Sequence, residues 1–199
     1  MKLSIFPAVL LCSFLAGSIL SPFSGLGRDD SSSFQIIALA SFIFVVSYDV
    51  GSKMRASSMR SIMKQTFILV ISCIVGSAVA GILFAITAGL GIKLSLGIAL
   101  GMGWYTFDGP ALASYAGVNA GALGFFSNFF RELLTLIFYL PISSFAGRIK
   151  PIAMGGATTM DTTLTVMRNS REPGITALAF AHGALVSFFV PLLVTIALI

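Results

Sequence analysis

The sequence predicts an all-α membrane protein with about five transmembrane helices and two oppositely oriented re-entrant hairpins. Three observations support this fold class. Of its 199 residues, 57% are hydrophobic and 10% are charged, whereas soluble proteins carry about 25% charged residues. Apolar stretches long enough for a span of about 20 residues recur along the chain. Two further apolar stretches are interrupted by glycine and acidic residues, which predicts broken helices buried within the protein.

Composition and motifs exclude several classes of function. A net charge of +5 would suggest nucleic acid as the partner of a soluble protein. The basic residues instead cluster in short loops between apolar stretches, as membrane orientation requires, so no nucleic acid is expected. Cys12 and Cys73 both lie within apolar spans, which argues against a disulfide framework. An ATP-driven pump is not expected because the sequence has no P-loop motif, and we expect neither a cofactor nor a metal.

The first 90 residues predict three scaffold helices of a single membrane domain. The apolar run that follows Lys2 is longer than the core of a signal peptide, so we expect it to be a retained helix. The loop after the second helix carries Lys53, Arg55, Arg60 and Lys64. This charge cluster predicts that the loop is cytoplasmic. The predicted helices are Leu3–Leu20, Phe34–Val50 and Thr66–Ala88.

Leu94–Gly121 is apolar but broken, so we expect a first hairpin whose two short arms meet at Tyr105–Pro110. Asp108 fits either a cap of the second arm, with Pro110 in its first turn, or a ligand. Trp104 and Tyr105 fit two roles. They are interfacial aromatic residues, or they stack on an ammonium group from the tip of the hairpin.

The fourth predicted helix, Ala122–Phe145, carries a polar stripe. Asn128, Glu132 and Thr135 lie at positions i, i+4 and i+7, so they should face the interior of the bundle. Glu132 is a candidate cation or proton site, or else an ion-pair partner of Arg131, although successive helix residues point about 100° apart. Arg131 either clamps a substrate carboxylate or serves as a counter-charge. Asn128 either binds substrate or hydrogen-bonds a neighbouring helix.

Pro151–Met167 is the second broken stretch and organises the rest of the chain. Its length of about 17 residues is marginal for a crossing and sufficient for a re-entrant hairpin. Asp161 lies within it, and a carboxylate inside a membrane costs roughly 2.5 to 3.5 kcal/mol. We therefore expect either a substrate or proton site that includes Asp161, Thr158 and Thr159, or a helix cap formed by Asp161.

The last predicted helix, Ile175–Ile199, contains the single histidine of the chain. His182 is either a proton relay, because imidazole titrates near physiological pH, or a core histidine packed against Gly183.

The distribution of basic residues distinguishes two topologies. Two re-entrant hairpins leave five crossings and place most basic residues inside. Threading both broken stretches across the membrane gives seven crossings and moves Arg148 and Lys150 outside, so the charge rule favours five. Both topologies put the amino terminus in the cytoplasm and the carboxyl terminus outside. Hairpins that enter from opposite sides are the arrangement from which transporters build a midplane site.

Four motifs lie between Gly101 and the end of the chain: Gly101-Met102-Gly103-Trp104-Tyr105, Phe126-Ser127-Asn128-Phe129-Phe130-Arg131-Glu132-Leu133, Gly155-Gly156-Ala157-Thr158-Thr159-Met160-Asp161, and His182-Gly183 with Pro191-Leu192-Leu193. In this order they resemble the LysO family of lysine exporters. This resemblance implies export of L-lysine through the cell membrane in exchange for protons, with Glu132 and Asp161 as the important membrane carboxylates. Longer family members carry additional amino-terminal helices before the region that matches the first helix. A small partner subunit or a second copy of this chain would supply these helices, or the transporter would work without them.

Two other functions fit parts of the sequence. An intramembrane aspartyl protease also needs two membrane acids, and Tyr48-Asp49 matches half of its signature. The matching G-x-G-D is absent, however, and Gly155-Gly156 stands too far from Asp161. The third function is a non-transporting subunit of a hetero-oligomeric amino-acid or amine transporter, which would require a small membrane partner for flux.

Overall fold

The computed structural model describes residues 56–169, 172 and 174–199, together with Tyr48. This part of the chain is helical and contains no strand, which confirms the predicted all-α class. Residues 53–199 form one compact unit. The α-helices are α1 (Ala56–Ala88), α2 (Ile92–Leu100), α3 (Tyr105–Ala116), α4 (Val118–Ala146), α5 (Leu164–Arg168) and α6 (Ile175–Leu198), and two 3-10 helices span Lys150–Met154 and Gly156–Met160.

Three of the described helices are long and apolar enough to cross a membrane: α1 from Arg60 onwards, α4 and α6. They correspond to the third, fourth and last predicted helices. The predicted helices Leu3–Leu20 and Phe34–Val50 lie outside the described residues, apart from Tyr48. The total number of crossings therefore remains a prediction.

The helix α1 begins ten residues before its predicted start at Thr66. Arg60 and Lys64 therefore lie on helical turns, and the prediction of a loop around them was wrong. The physical reason is that arginine, lysine and methionine all favour helix, and no glycine or proline interrupts this segment. Charge indicates which side of the membrane a segment occupies, but it does not determine the backbone conformation.

The first broken segment is a re-entrant hairpin. Its first arm, α2, runs back along α1, so that a Cβ on Gly81 would lie 3.0 Å from Ala99. At its tip, the Cys73 thiol lies 3.7 Å from the sulfur of Met102. The second arm, α3, then returns beside α2, and Leu112 packs in one cluster with Ile98 and Ala120. The first arm therefore begins, and the second arm ends, at the same end of the bundle.

The joint of this hairpin lies at Gly101–Trp104, not at the predicted Tyr105–Pro110. Gly103 has φ +92° and supplies the reversal that a residue with a Cβ rarely adopts. Pro110 lies inside α3, which begins at Tyr105. The cap position of α3 is Trp104, so the alternative that Asp108 caps this arm is also wrong.

The second broken segment is also a re-entrant hairpin and enters from the other end of the bundle. Tyr139 near the end of α4 donates a hydrogen bond of 2.7 Å to the carbonyl oxygen of Arg148. Further along the first 3-10 helix, the Met154 carbonyl accepts a hydrogen bond of 2.9 Å from Arg131. This arm thus runs antiparallel to α4. The returning arm brings Met167 back into one apolar cluster with Tyr139.

The two hairpins meet at their tips. The N–H of Ala157 donates a hydrogen bond of 2.8 Å to the carbonyl oxygen of Met102. A Cβ on Gly103 would lie 3.0 Å from the carbonyl oxygen of Gly155, and one on Gly156 would lie 2.0 Å from that of Met102. Glycine is therefore required at these tips, because any side chain would separate the two backbones.

The basic residues of the described segments are distributed unequally between the two ends of the bundle. Ile62 of α1 and Ile149 pack against the apolar cluster that holds Tyr139 and Met167. The basic residues next to Ile62 and Ile149 in the sequence therefore lie at the end of the bundle that holds this cluster. We call it the basic end. At the opposite end, the ammonium group of Lys93 binds the Ile199 carbonyl. The residues at the basic end include Arg60, Lys64, Arg148, Lys150 and Arg168.

Candidate functional site

The polar stripe of α4 faces the interior of the bundle, as its spacing predicts. Asn128 is 2% exposed, Glu132 is 7% exposed and Thr135 is 1% exposed. In the same helix, Phe126 and Phe130 are exposed apolar residues, as expected for a surface in contact with lipid. The stripe therefore presents one amide and one carboxylate to the hairpins.

Tyr105, Glu132 and Asp161 come together from three different elements. Tyr105 begins α3 at the tip of the first hairpin, Glu132 belongs to α4, and Asp161 ends the second 3-10 helix. The carboxylates of Glu132 and Asp161 both act electrostatically on the Tyr105 phenol. The Tyr105 ring also packs edge-on against Phe125 and Phe129, with ring centroids 5.2 and 6.1 Å apart. Two acids beside a fixed aromatic ring can bind an ammonium group.

Asp161 keeps its carboxylate available for a ligand. Its Oδ1 accepts hydrogen bonds from the N–H and hydroxyl of Thr162, at 2.6 and 3.2 Å. The returning helix α5 has Thr163 at its cap position, with no capping side-chain hydrogen bond. The alternative that Asp161 caps this arm is therefore not observed. Asp161 is exposed, and it forms no ion pair with any described residue.

Thr158, Thr159 and His182 hold the second hairpin together and join it to α6. Both threonine hydroxyls donate hydrogen bonds of 2.9 Å to carbonyls in the hairpin, that of Gly155 for Thr158 and that of Gly156 for Thr159. The Thr159 hydroxyl also lies 3.0 Å from Nδ1 of His182. The Thr159 hydroxyl therefore links the backbone of the hairpin to the imidazole of His182. The three side chains are buried and engaged with one another or with the backbone.

Arg131 connects α1, α4 and the tip of the second hairpin. Four hydrogen bonds use four of its five N–H groups. It forms no ion pair with Glu132, which agrees with the different directions of neighbouring helix residues. The contacts run to the carbonyl oxygens of Met154 and Ala153, at 2.9 and 3.2 Å, the Ser77 hydroxyl at 2.8 Å and the Cys73 sulfur at 3.2 Å.

Asn128 forms hydrogen bonds to a neighbouring element, which is one of its two predicted roles. Its Oδ1 accepts a hydrogen bond of 2.7 Å from the N–H of Gly103. The two hydrogens of its Nδ2 are shared among three acceptors, of which the carbonyls of Ile98 and Gly124 lie at 3.1 and 3.0 Å. The same nitrogen donates a hydrogen bond of 2.7 Å to Oδ2 of Asp108, which is fully buried. The amide thereby fixes the first hairpin to α4.

Trp104 lies at the tip of the first hairpin, close to the contact between the hairpins. Its ring packs against Phe107, with centroids 5.4 Å apart, and against the apolar cluster that contains Met102 and Val190. Both alternatives for Trp104 and Tyr105, an interfacial position and stacking on an ammonium group, stay predictions. Both aromatic residues are half-buried at the tip.

An open groove of about 300 Å³ lies between α1, α2 and α4. It reaches both Arg131 and Asn128 and combines polar with apolar walls. Ser77 and Cys73, which bind Arg131, were missed as functional residues because a face of small residues on a helix usually signals only close packing. The residues that line the groove are Ser77, Ala80, Phe84, Ile98, Ala99, Ser127, Asn128 and Arg131.

A model of the lysine exporter LysO family matches residues 9–198, nearly the whole chain. The chain belongs to the LysO family. Two relatives agree with this assignment: the lysine exporter LysO of Escherichia coli K12 and a putative lysine exporter of Haemophilus influenzae. The family resemblance that the four motifs predicted is therefore confirmed, and family membership together with the apolar helices indicates a multi-pass membrane protein.

The two relatives share about 30% of their aligned residues with this chain, and only part of each protein aligns. The E. coli protein is 31% identical over 133 residues, which are 66% of this chain and 44% of that protein. The H. influenzae protein is 30% identical over 117 residues, which are 59% of this chain and 60% of that protein. The alignments thus span about half the length of these family members. No solved structure matches this chain.

Proposed function

We propose that this chain exports L-lysine from the cytoplasm in exchange for protons, through a site at the level where the hairpins meet. One observation carries the proposal: Glu132 and Asp161, from different elements, both lie within electrostatic range of the Tyr105 phenol. The names of the E. coli and H. influenzae relatives support lysine as the substrate. The accumulation of basic residues at one end supports an orientation in which that end is cytoplasmic.

The chemistry of lysine suits these groups. The side-chain ammonium would lie between Glu132 and Asp161, with the Tyr105 ring adding a cation–π contact worth about 0.5 to 2 kcal/mol. The substrate carboxylate would face the amino-terminal end of α3, where the helix dipole is positive. In this arrangement Trp104, Asn128, Arg131, Thr158, Thr159 and His182 hold the hairpins in position.

Exchange follows if lysine and protons compete for the same carboxylates. At the cytoplasmic side, lysine displaces protons from Glu132 and Asp161. At the outer side, the higher proton concentration protonates these acids and releases lysine, so that protons moving inward drive lysine outward. In this mechanism the Met102–Ala157 contact would separate the two sides of the membrane, and alternating access would require the hairpins to move relative to their neighbours.

A second candidate function is supported by the length comparison. Because the alignment covers only 44% of the longer E. coli relative, the chain would act as one subunit of a lysine or amine transporter. A second copy or a small membrane partner would then complete the transport path. Family membership favours either transporter function over the aspartyl protease.

Lysine flux in liposomes that contain only the full chain tests the proposal. We expect a pH gradient to drive flux, and Glu132→Gln and Asp161→Asn to lower it by at least about tenfold, since each removes a charge-assisted contact. Glu172→Gln is the matched control, because this acid lies at the surface in a 3.5 Å ion pair with Arg148.

The outcomes separate the two candidates. Flux that the gradient does not influence would contradict proton exchange. If the folded chain shows no flux alone but gains flux when a second membrane component is added, the subunit function is correct. Undiminished gradient-driven flux in both acid variants would contradict the proposed site.

A further inference from the structure

We propose that Asp108 is a proton-binding site separate from Glu132 and Asp161, and that Asn128 transmits its protonation state to the tip of the first hairpin. This inference rests on the proposed function, because it adds to Glu132 and Asp161 a further proton-binding group that does not contact lysine. Lysine and protons would still compete at Glu132 and Asp161, while proton uptake and release at Asp108 would act on the tip of the first hairpin.

The surroundings of Asp108 suit a neutral acid better than a carboxylate. The residue is 0% exposed. Its Oδ2 accepts the 2.7 Å hydrogen bond from Asn128, whereas its Oδ1 has no hydrogen-bond partner. A buried charge that lacks a counter-ion is far more costly than a buried neutral group. A proton on Oδ1 removes that charge and leaves the bond from Asn128 in place.

No described cation neutralises Asp108. On α2, the charged group is Lys93, which binds the Ile199 carbonyl at the end of the bundle. On α4, the charged groups are Arg131, which is hydrogen-bonded to the second hairpin, and Glu132. Glu132 lies within electrostatic range of Tyr105, the other titratable group near the start of α3. Burial and the hydrogen bond from the Asn128 amide determine how readily Asp108 binds a proton. Within the described segments, a proton is therefore its available counter-charge.

Two glycines make the space for this carboxyl group. A Cβ on Gly101 would lie 2.5 Å from Cγ of Asp108, and one on Gly124 would lie 2.9 Å from its Oδ2. Alanine at either position would collide with the acid. The cavity is thus shaped for one carboxyl group, in contrast to the exposed position of Asp161.

Asn128 connects this acid to the contact between the hairpins. Its Oδ1 accepts from Gly103 while its Nδ2 donates to Asp108, so both ends of the amide are held. Gly103 follows Met102, whose carbonyl oxygen binds the N–H of Ala157. Loss of the proton would strengthen the pull of Asp108 on Nδ2, because hydrogen bonds to ionised acceptors are shorter and stronger. The amide would shift, and with it the backbone of the tip.

The groove beside α4 offers a route for the proton. Asn128 forms part of its wall, together with the hydroxyl-bearing residues Ser77 and Ser127. Water in the groove would reach the amide that covers Asp108, and the proton would need to pass only this side chain. The substrate acids are reached separately, because Asp161 is exposed at the end of the second 3-10 helix.

Infrared spectroscopy of the full chain in liposomes tests the protonation directly. We expect a protonated-carboxyl C=O band at neutral pH that weakens at alkaline pH, is absent from Asp108→Asn and is retained in Asp161→Asn. If the Asp108→Asn protein does not fold, wild-type protein labelled with ¹³C at the aspartate carboxyl keeps the test valid, because the band must shift. A missing band, or a band that persists in Asp108→Asn, would overturn the inference.

Transport separates this inference from the proposed function. We expect Asp108→Asn to retain lysine–lysine exchange without a pH gradient. In this variant, the factor by which a pH gradient increases lysine flux should fall at least about tenfold. Glu132→Gln, in contrast, should lose both the exchange and the gradient-driven flux. A normal gradient response in Asp108→Asn would overturn the inference and leave lysine export intact. If wild-type protein moves no lysine, export by this chain alone is contradicted, and the infrared band still decides the protonation of Asp108.

Discussion

Ala157 and Met102 join the two hairpins tip to tip through a single main-chain hydrogen bond of 2.8 Å. The two residues come from segments that enter the bundle from opposite ends. Each segment follows a long helix, α1 for the first hairpin and α4 for the second. This order of elements agrees with the inverted arrangement predicted from hydropathy, in which broken helices meet near the midplane.

The backbone of Gly156 is essential for this contact. Gly156→Ala places a Cβ at φ +61°, 2.0 Å from the Met102 carbonyl oxygen. We expect a loss of about 2 to 4 kcal/mol in the free energy of unfolding, from backbone strain and displacement of the tip. Thermal unfolding in detergent measures it. Gly76→Ala is the control, because its Cβ would meet nothing within 4 Å, and equal melting temperatures would contradict the tip contact.

Arg131→Lys keeps the positive charge but cannot reproduce four directed hydrogen bonds. We expect faster backbone hydrogen exchange in the second hairpin, around Met154, with little change in the first hairpin. Mass spectrometry of peptides from the two hairpins provides the measurement. Arg168→Lys is the matched control, because Arg168 is an exposed residue of α5. Uniformly unchanged exchange would show that the hairpin does not depend on this guanidinium group.

Thr159→Val removes the hydroxyl between Gly156 and His182 at almost constant volume. Since Nδ1 of the buried imidazole would lose its 3.0 Å partner, we expect a destabilisation of about 1 to 3 kcal/mol. Chemical unfolding compares this variant with Thr162→Val, whose side chain is exposed. If both variants are equally stable, the link between the second hairpin and α6 contributes little.

Tyr105→Leu removes the aromatic ring beside the two carboxylates. If the ring contacts the lysine ammonium, the lysine concentration for half-maximal flux should rise about three- to tenfold, which corresponds to the energy of one cation–π contact. Tyr105→Phe should retain most of the affinity because it keeps the ring. Tyr115→Leu is the control at an exposed position of α3. An unchanged concentration dependence in Tyr105→Leu would exclude Tyr105 from substrate binding.

The sequence predicted the locally encoded parts of the site. The spacing of Asn128, Glu132 and Thr135 on one helix face correctly predicted that the three residues are buried. Glycine and proline correctly marked Leu94–Gly121 as broken, but they did not locate the joint. Pro110 suggested a break and lies within a helix, whereas the reversal occurs at Gly103, where φ is +92°.

The partners of Arg131 could not be predicted, because they lie far away in the chain. Its guanidinium binds Ser77 in α1 and the carbonyl of Met154 in the second hairpin. A serine among small residues predicts helix packing equally well, and a backbone carbonyl carries no sequence signal. The same reasoning applies to Asp108, whose place beside Asn128 follows from the return of the hairpin rather than from a cap.

The sequence by itself determined the all-helical membrane class, the long spans α1, α4 and α6, and the polar face of α4. These features depend on hydropathy and on the helical period, which are local properties of the chain. The tertiary structure decided that Tyr105 lies beside Glu132 and Asp161, and that Asp108 lies beneath Asn128. Such pairs form only when separate elements pack at one depth, so the meeting of the two hairpins, and not any motif alone, assembles the candidate site.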